Sequence, residues 1–192
     1  MSLPVGVLAL QGDFREHLQA FARLGVESTP VRTAKELQCV SGLVIPGGES
    51  TTIGKLARIF ELFDPIKQAV SNGLPAFGTC AGLIMLADQI TGGIDGQETF
   101  GGLDVTVSRN AFGNQLDSFE VDLEFVGINN PVHAAFIRAP IITEVRKATV
   151  RAQLQDGRIV GVSQGNILGI SFHPEVTGDD SVHELFVREF VK

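Results

Sequence analysis

Cys80 stands in Gly78-Thr79-Cys80-Ala81-Gly82, where one apolar run ends and a second begins. Two glycines around a thiol, at a strand-to-helix junction, permit a tight turn with close backbone approach. Such a turn lifts a side chain out of the core, as a nucleophile elbow does, with sulfur replacing the serine oxygen. The next helix N-terminus supplies positive potential that favours a thiolate. The Ala81 N–H would face an oxyanion forming beside the sulfur. Taken alone, the motif is explained equally well by a small residue packed at a crowded turn. Cys39 has no glycine neighbours of this kind and no strand before it, so it reads as structural or incidental.

A thiolate nucleophile needs a base, and the base needs an orienter. The chain has four histidines. His17 and His183 fall in helical patterns and read as surface or helix-face residues. His133 lies in a strand or loop with nothing to single it out. His173 differs: it follows the apolar run 167–172 and precedes Pro174 and Glu175. Pro174 favours an extended His173, and positions i and i+2 of an extended chain share a face. The Glu175 carboxylate could then hold one ring nitrogen and leave the other for Cys80.

A third segment, Pro46-Gly47-Gly48-Glu49-Ser50-Thr51-Thr52, also follows an apolar strand. Its two glycines free the backbone to present N–H groups to a developing negative charge. It is not a phosphate-binding P-loop. Gly48 and Gly54 are one residue too far apart, and Leu56 follows Lys55 where Ser or Thr is required.

The elements that must position these residues alternate through the first half. Strand patterns at 5–10, 26–32, 42–45 and 74–78 are separated by helical patterns at 13–25, 50–73 (one or two helices, with Pro65 restarting the pattern) and 81–90. In the first helix Phe14, Leu18, Phe21 and Leu24 are at helical spacing. Pro30 suggests that the second strand lies at an edge. This order predicts a parallel sheet covered on both faces, with sites beyond the carboxyl ends of its strands. The second half is strand-rich, with hairpin turns at Asp156-Gly157 and Gln164-Gly165, and a helix over 179–192 capped by Asp or Ser.

The 192 residues suit one domain over 1–192. The 44% hydrophobic and 19% charged content reads as globular. A net charge of −7 argues against nucleic acid as the main partner. No apolar run approaches the ~20 residues of a membrane helix. The N-terminus has no basic leader and reads as a buried first strand. Two cysteines make no disulfide framework, and the cytoplasm is the default compartment. No metal-ligand cluster is visible in the spacing.

The motifs PGGEST (46–51), GTCAGLI (78–84) and SFHPE (171–175), in that order, resemble those of triad glutamine amidotransferases. GVLALQGDFREH (6–17), PGGESTTI (46–53), RNAFGNQLDSFE (109–120) and FIRAP (136–140) narrow the resemblance to the glutaminase subunits of pyridoxal 5′-phosphate synthases. The likeness runs over essentially the whole chain. It implies a flavodoxin-like three-layer sandwich of class I amidotransferase type, mostly parallel with an antiparallel addition. It implies hydrolysis of L-glutamine to L-glutamate through a thioester, without metal or cofactor. The ammonia would pass to a separate (β/α)₈-barrel synthase subunit in a hetero-oligomeric complex, and the glutaminase would wait for that partner.

By position, the resemblance makes Cys80 the nucleophile, His173 the base and Glu175 the orienter. Gly48 and Ala81 would form the oxyanion hole. Gly47, Gly48, Glu49, Ser50, Arg109, Ile137 and Arg138 would bind glutamine. Gln11 and Gly12 would lie near the site and the partner. Asn114 departs from the family, which has a basic residue there on a partner-facing loop. A glutaminase serving another synthase, such as imidazole glycerol phosphate synthase, would share fold and triad, but GTCAGLI, RNAFG and FIRAP favour the vitamin B6 pathway. A non-catalytic binding module of the same fold would be expected to lose Cys80, His173 or Glu175.

Overall fold

The computed structural model describes residues 3–109 and 118–191. Asn114 lies outside the described residues. The chain runs β1 (Val5–Leu8), α1 (Phe14–Arg23), β2 (Ser28–Val31), α2 (Ala34–Leu37), β3 (Gly42–Ile45), α3 (Ser50–Ile59), α4 (Phe63–Ser71), β4 (Ala76–Thr79) and α5 (Ala81–Leu86). It continues through β5 (Ala87–Thr91), β6 (Leu103–Ser108), β7 (Phe119–Leu123), β8 (Val132–Phe136), β9 (Ile141–Val145), β10 (Thr149–Gln153), β11 (Ile159–Gln164), β12 (Ile167–Ile170), α6 (Pro174–Thr177) and α7 (Ser181–Glu189).

The main sheet has the order β2-β1-β3-β4-β12-β11-β9-β6-β5, with β10 added on β11. β2, β1, β3, β4 and β12 are parallel to their neighbours. β11 pairs antiparallel with β12, β9 and β10, and β6 with β9. This is the parallel core with an antiparallel addition that the pattern of elements predicts. β2, with Pro30, is at the edge as expected. The two-residue loop after Gln164 is made by Gly165, at φ +55°, and Asn166.

Period-two alternation divides the sheet's two faces. Leu43 and Ile45 of β3 join Ile53, Ile66 and Leu83 in one apolar layer. Val44 of β3 and Phe77 of β4 join Phe21, Leu185 and Phe186 in the other. The sheet is thus buried between α3, α4 and α5 on one side and α1 and α7 on the other. Among the described residues, no helix is long and apolar enough to cross a membrane.

Two local expectations need correction. The helix predicted over 81–90 stops at Leu86. Ala87 is extended (φ −71°, ψ 140°), and 87–91 form β5 on β6. Ladder pairing there outweighs the helical propensity of Ala87 and Gln89. The 50–73 pattern forms two helices, as it allowed: α3 and α4 part at Glu61, which has φ +55°, and α4 begins at Phe63, just before Pro65. In α7 the N-cap Asp180 makes no side-chain capping bond. Asp179 instead accepts from the Ser181 N–H at 3.0 Å.

The parallel register brings the ends of β1, β3, β4 and β12 to one edge. Thr79 lies opposite Ile170, and Ile45 opposite Gly78. The segments beginning at Ala9, Pro46, Cys80 and Ser171 therefore leave the sheet side by side. The backbones there nearly touch. A Cβ on Gly82 would sit 1.9 Å from the Ile45 carbonyl oxygen, and one on Gly78 would sit 2.5 Å from Gly82 backbone atoms. Gly82→Ala is expected to cost about 2 kcal/mol or more of unfolding free energy. Gly54→Ala, in α3 with nothing nearer than 3.6 Å, is expected to be neutral or stabilising. Urea titration of both variants checks the contrast.

Candidate active site

Cys80 is the residue between β4 and α5, and its backbone is held at φ +50°, ψ −104°. This is a strained conformation for a residue with a Cβ, of order 1–3 kcal/mol. Its N–H donates to the Ile170 carbonyl at 2.9 Å, and its own carbonyl accepts from the Ile84 N–H at 3.3 Å. The elbow inferred from the glycine spacing is present: strand, strained cysteine, helix. Gly78 and Gly82 serve the close approach, as the sequence suggested.

His173 is the N-cap of α6, at φ −115°, ψ 85°. Its N–H donates to the Ala135 carbonyl at 2.9 Å, tying it to β8. Nδ1 lies 2.7 Å from Glu175 Oε1, and Nε2 is left for Cys80. The route differs from the extended pairing expected from sequence. Only His173 is extended; Pro174 begins a helix, and Glu175 reaches back from its first turn. Pro174 fits because a first-turn proline loses no intrahelical bond.

Burial alone would lower the His173 pKa, but hydrogen bonds to Cys80 and Glu175, and their charge, raise it to about 10. Burial raises the Glu175 pKa, against the pull of the His173 hydrogen bond. Asp13 also approaches, with Oδ2 3.7 Å from His173 Nδ1. Atoms of Asp13, His173 and Glu175 fall within 4.8 Å of one another, a convergence of metal-capable donors that the sequence spacing did not reveal.

Gly47 and Gly48 pass directly over this pair. A Cβ on Gly47 would lie 2.3 Å from His173 Cε1. Gly48 has φ +151°, and a Cβ there would lie 2.4 Å from Gln11 Oε1. The Gly47 carbonyl accepts from the Asp13 N–H at 3.2 Å. A Cβ on Gly12, at φ +94°, would collide with that carbonyl. Gln11 Oε1 accepts from the Glu49 N–H at 2.8 Å. Gln11 and Gly12 thus fix the glycine turn, which explains their placement beside the site.

Glu49 caps α3, accepting from Thr51 N–H at 3.1 Å, Thr52 N–H at 2.7 Å and the Thr52 hydroxyl at 2.8 Å, as well as from the Thr51 hydroxyl. Burial would raise its pKa, but these hydrogen bonds hold it near 2. Arg109 donates to Glu49 Oε1 at 2.7 Å and to Gln97 Oε1 at 2.6 Å. Gln97 in turn donates to the Ser50 hydroxyl at 3.0 Å. Arg138 has a positive φ of +45°.

A cavity of about 580 Å³ collects these groups. Gln11, Gly48, Glu49, Ser50, Cys80, Ala81, Arg109, Ile137, Arg138 and His173 all line it. Of the residues named from sequence, Gly12, Gly47 and Glu175 stand behind the wall. Asp13, Ile84, Pro140 and Val176 line it unannounced. Asp13 sits within the quoted 6–17 motif and could have been named from it. Gln97 lies in an irregular stretch with no pattern to mark it.

The larger surprise is behind Glu175. His17 and His183, read from sequence as surface or helix-face residues, are 0% exposed. His17 Nδ1 is 2.8 Å from His183 Nε2, and His17 Nε2 is 3.2 Å from Thr79 Oγ1. The signal was in the helix spacing. His17 is three residues after Phe14 and four before Phe21, on the apolar stripe of α1; His183 stands in the same way to Phe186.

The SNO glutamine amidotransferase family matches residues 7–192. The chain belongs to this family. It is 57% identical over 188 residues to the pyridoxal 5′-phosphate synthase subunit PdxT of a Nocardioides species, covering 95% of this chain and 94% of that one. It is 57% identical over 185 residues to PdxT of Leifsonia xyli, covering 95% and 93%. A crystal structure described as a glutamine amidotransferase superposes with a TM-score of 0.89 at 49% identity, covering 96% of this chain and 97% of that one. PurLQS from Thermotoga maritima shares the fold, with a TM-score of 0.71 at 20% identity and coverage of 98% and 99%.

Burial lowers the His183 pKa to about 4, against about 6.5 in an unfolded chain. The unfolded state therefore binds the extra proton first as pH falls. The stability tied to His183 is complete above pH 6.5 and is lost as pH drops towards 4, by at most about 1.4 kcal/mol per pH unit. His183→Phe is expected to lose less stability than the parent between pH 7 and pH 5, measured by urea titration at each pH.

Proposed function

We propose that this chain is the glutaminase subunit of a pyridoxal 5′-phosphate synthase. It hydrolyses L-glutamine to L-glutamate and ammonia and passes the ammonia to a separate synthase subunit. The observation that carries this reading is a strained cysteine beside a His–Glu pair in one cavity, in a chain 57% identical to proteins named as PdxT. The resemblance of the motifs supports a (β/α)₈-barrel partner, and two cysteines without a disulfide framework support the cytoplasm. Residues 1–192 act in it as one glutaminase domain.

Cys80 gives its proton to His173 and attacks the side-chain amide carbon of glutamine. Because the elbow holds the cysteine in advance, little reorganisation is needed at that moment. The carbonyl oxygen becomes an oxyanion, met by the N–H of Ala81, which opens α5 and has no intrahelical acceptor. The second donor is the Gly48 N–H. In the free chain the carbonyl of the Gly47–Gly48 peptide is held by the Asp13 N–H. The imidazolium of His173 protonates the leaving nitrogen, ammonia departs, and the γ-glutamyl thioester remains. The neutral imidazole then takes a proton from water as water attacks the thioester. Collapse releases glutamate and returns Cys80 and His173 to their starting state.

Glu175 holds the imidazole by Nδ1 and balances its charge, as the acidic member of a triad does. Arg109, Glu49, Ser50 and the backbone of Ile137-Arg138 bind the amino-acid end of glutamine. Asp13, His173 and Glu175 serve as proton machinery. Partner docking completes the oxyanion hole by setting the Gly47–Gly48 peptide, which glycines allow at low cost.

The test is glutamate release from L-glutamine by the purified chain, alone and with its barrel synthase. A rate that appears or rises sharply with the synthase is expected. No rate in either case, with a synthase active on free ammonia, would overturn the reading. Cys80→Ala is expected to remove detectable turnover while circular dichroism and thermal midpoint stay near those of the parent. Arg109→Met is expected to raise KM for glutamine at least tenfold, since a charge-assisted hydrogen bond is worth roughly 1.5–3 kcal/mol. Steady-state kinetics of the complex measure it.

A further inference from the structure

We propose that His17, backed by His183, is a positioning residue for the triad: its Nε2–H faces Glu175 and keeps that carboxylate ionised and aimed at His173. The inference rests on the glutaminase reading above and adds two residues to it.

The geometry is a buried row that crosses three elements. His17 Nε2, on α1, is 3.6 Å from Glu175 Oε1, on α6. That oxygen is the one 2.7 Å from His173 Nδ1. The same Nε2 is 3.2 Å from the Thr79 hydroxyl, one residue before the nucleophile. On its other side His17 meets His183 of α7 at 2.8 Å. Phe77 packs edge-on against both imidazoles, and Phe21 against His183, so neither ring is free to turn.

The hydrogen positions follow from what each nitrogen faces. A lone pair on His17 Nε2 would point at a buried carboxylate oxygen and be repelled, so Nε2 carries the proton. His17 Nδ1 is then the acceptor, and His183 Nε2 must donate to it. His183 Nδ1 is left as a bare acceptor, and among the described residues that atom has no partner. The opposite arrangement would bury an N–H without an acceptor there, which folded proteins rarely tolerate. Both rings stay neutral, since burial lowers their pKa values, and for His17 any charge on His183 or His173 would lower it further. The other charged groups that bear on His183 are Asp179, Asp180 and Arg23. Asp13 bears on Glu175 and raises its pKa.

Glu175 needs this help. Its Oε2 is buried without a hydrogen-bond partner among the described residues. Its imidazole neighbours, His173 and His17, both approach Oε1. At 3.6 Å His17 acts through its N–H dipole rather than through a full hydrogen bond. Inside a low-dielectric core such a dipole has a large effect. Without it Glu175 would protonate more readily, and the imidazolium of His173 would lose its balancing charge.

The test compares His17→Phe and His17→Gln with the parent in the assembled glutaminase–synthase complex. The Gln side chain places an N–H near the original Nε2; Phe keeps the shape alone. We expect His17→Phe to lower kcat roughly tenfold or more, the usual scale for groups supporting a functional ligand, with KM for glutamine little changed. The acid limb of the kcat profile should move to higher pH, and His17→Gln should restore most of both. Folded fraction is read by thermal melting, and rates are taken per folded molecule. An inactive parent would overturn the glutaminase reading. An active parent with a folded His17→Phe of equal kcat and acid limb would overturn the positioning role alone. If His17→Phe does not fold, ¹⁵N imidazole NMR of the parent chain decides. Nε2–H tautomers on His17 and His183 at pH 7 support the proposal, and an Nδ1–H or doubly protonated His17 refutes it.

Discussion

Everything at the site depends on a backbone contact. Gly82 rests on the Ile45 carbonyl, at a distance that leaves no room for a Cβ, and Gly78 packs against Gly82. That contact locks the first turn of α5 onto β3. The residue between the two glycines is forced into a conformation that cysteine would not choose. The strain is held because strands on both sides, β3 and β12, fix the ends of β4. A side chain projected by the main chain in this way has few alternative positions, so it needs little help from its neighbours to stay aimed.

The same economy governs the other parts. The His173 ring lies under Gly47, whose missing side chain is the space the imidazole occupies. Gln11 supports the turn by accepting from Glu49, and Gly12 makes room for the Gly47 carbonyl. Four chain segments that leave one sheet edge share a volume in which almost every contact is backbone against ring or backbone against backbone. Side chains that carry charge, such as Glu49 and Arg109, are kept one step outward, where paired hydrogen bonds and partial solvation stabilise them.

How much of this could be read from residues alone divides along a physical line. Glycine and proline constrain the backbone locally, so the elbow at Cys80, the turn at Gly47-Gly48 and the edge position of β2 were legible. The alternation of apolar runs fixed the parallel half because each run buries a strand between two layers. The short α5 was misjudged because its continuation as β5 is dictated by pairing with β6, a partner twelve or more residues away. The path of Glu175 was misjudged because proline is compatible both with an extended predecessor and with a helix start, and here it does both. His17 and His183 were misplaced for a different reason: imidazole is polar by composition yet sits on an apolar stripe when a buried partner exists, and the partners are 166 residues apart.

The position of β12 has a consequence for how the protein is made. Cys80 follows β4, but His173 follows β12, which pairs in parallel with β4 although the Ile167–Ala76 partners are far apart in sequence. Parallel pairing over such a span closes a long loop, and long-range contacts of this kind form late in folding. On the ribosome, β4 and its cysteine emerge well before β12 does, and only the arrival of β12 brings an imidazole to the sulfur. A growing chain therefore carries its thiol without a base beside it. Thiol and imidazole come together in one step, when the centre of the sheet is filled.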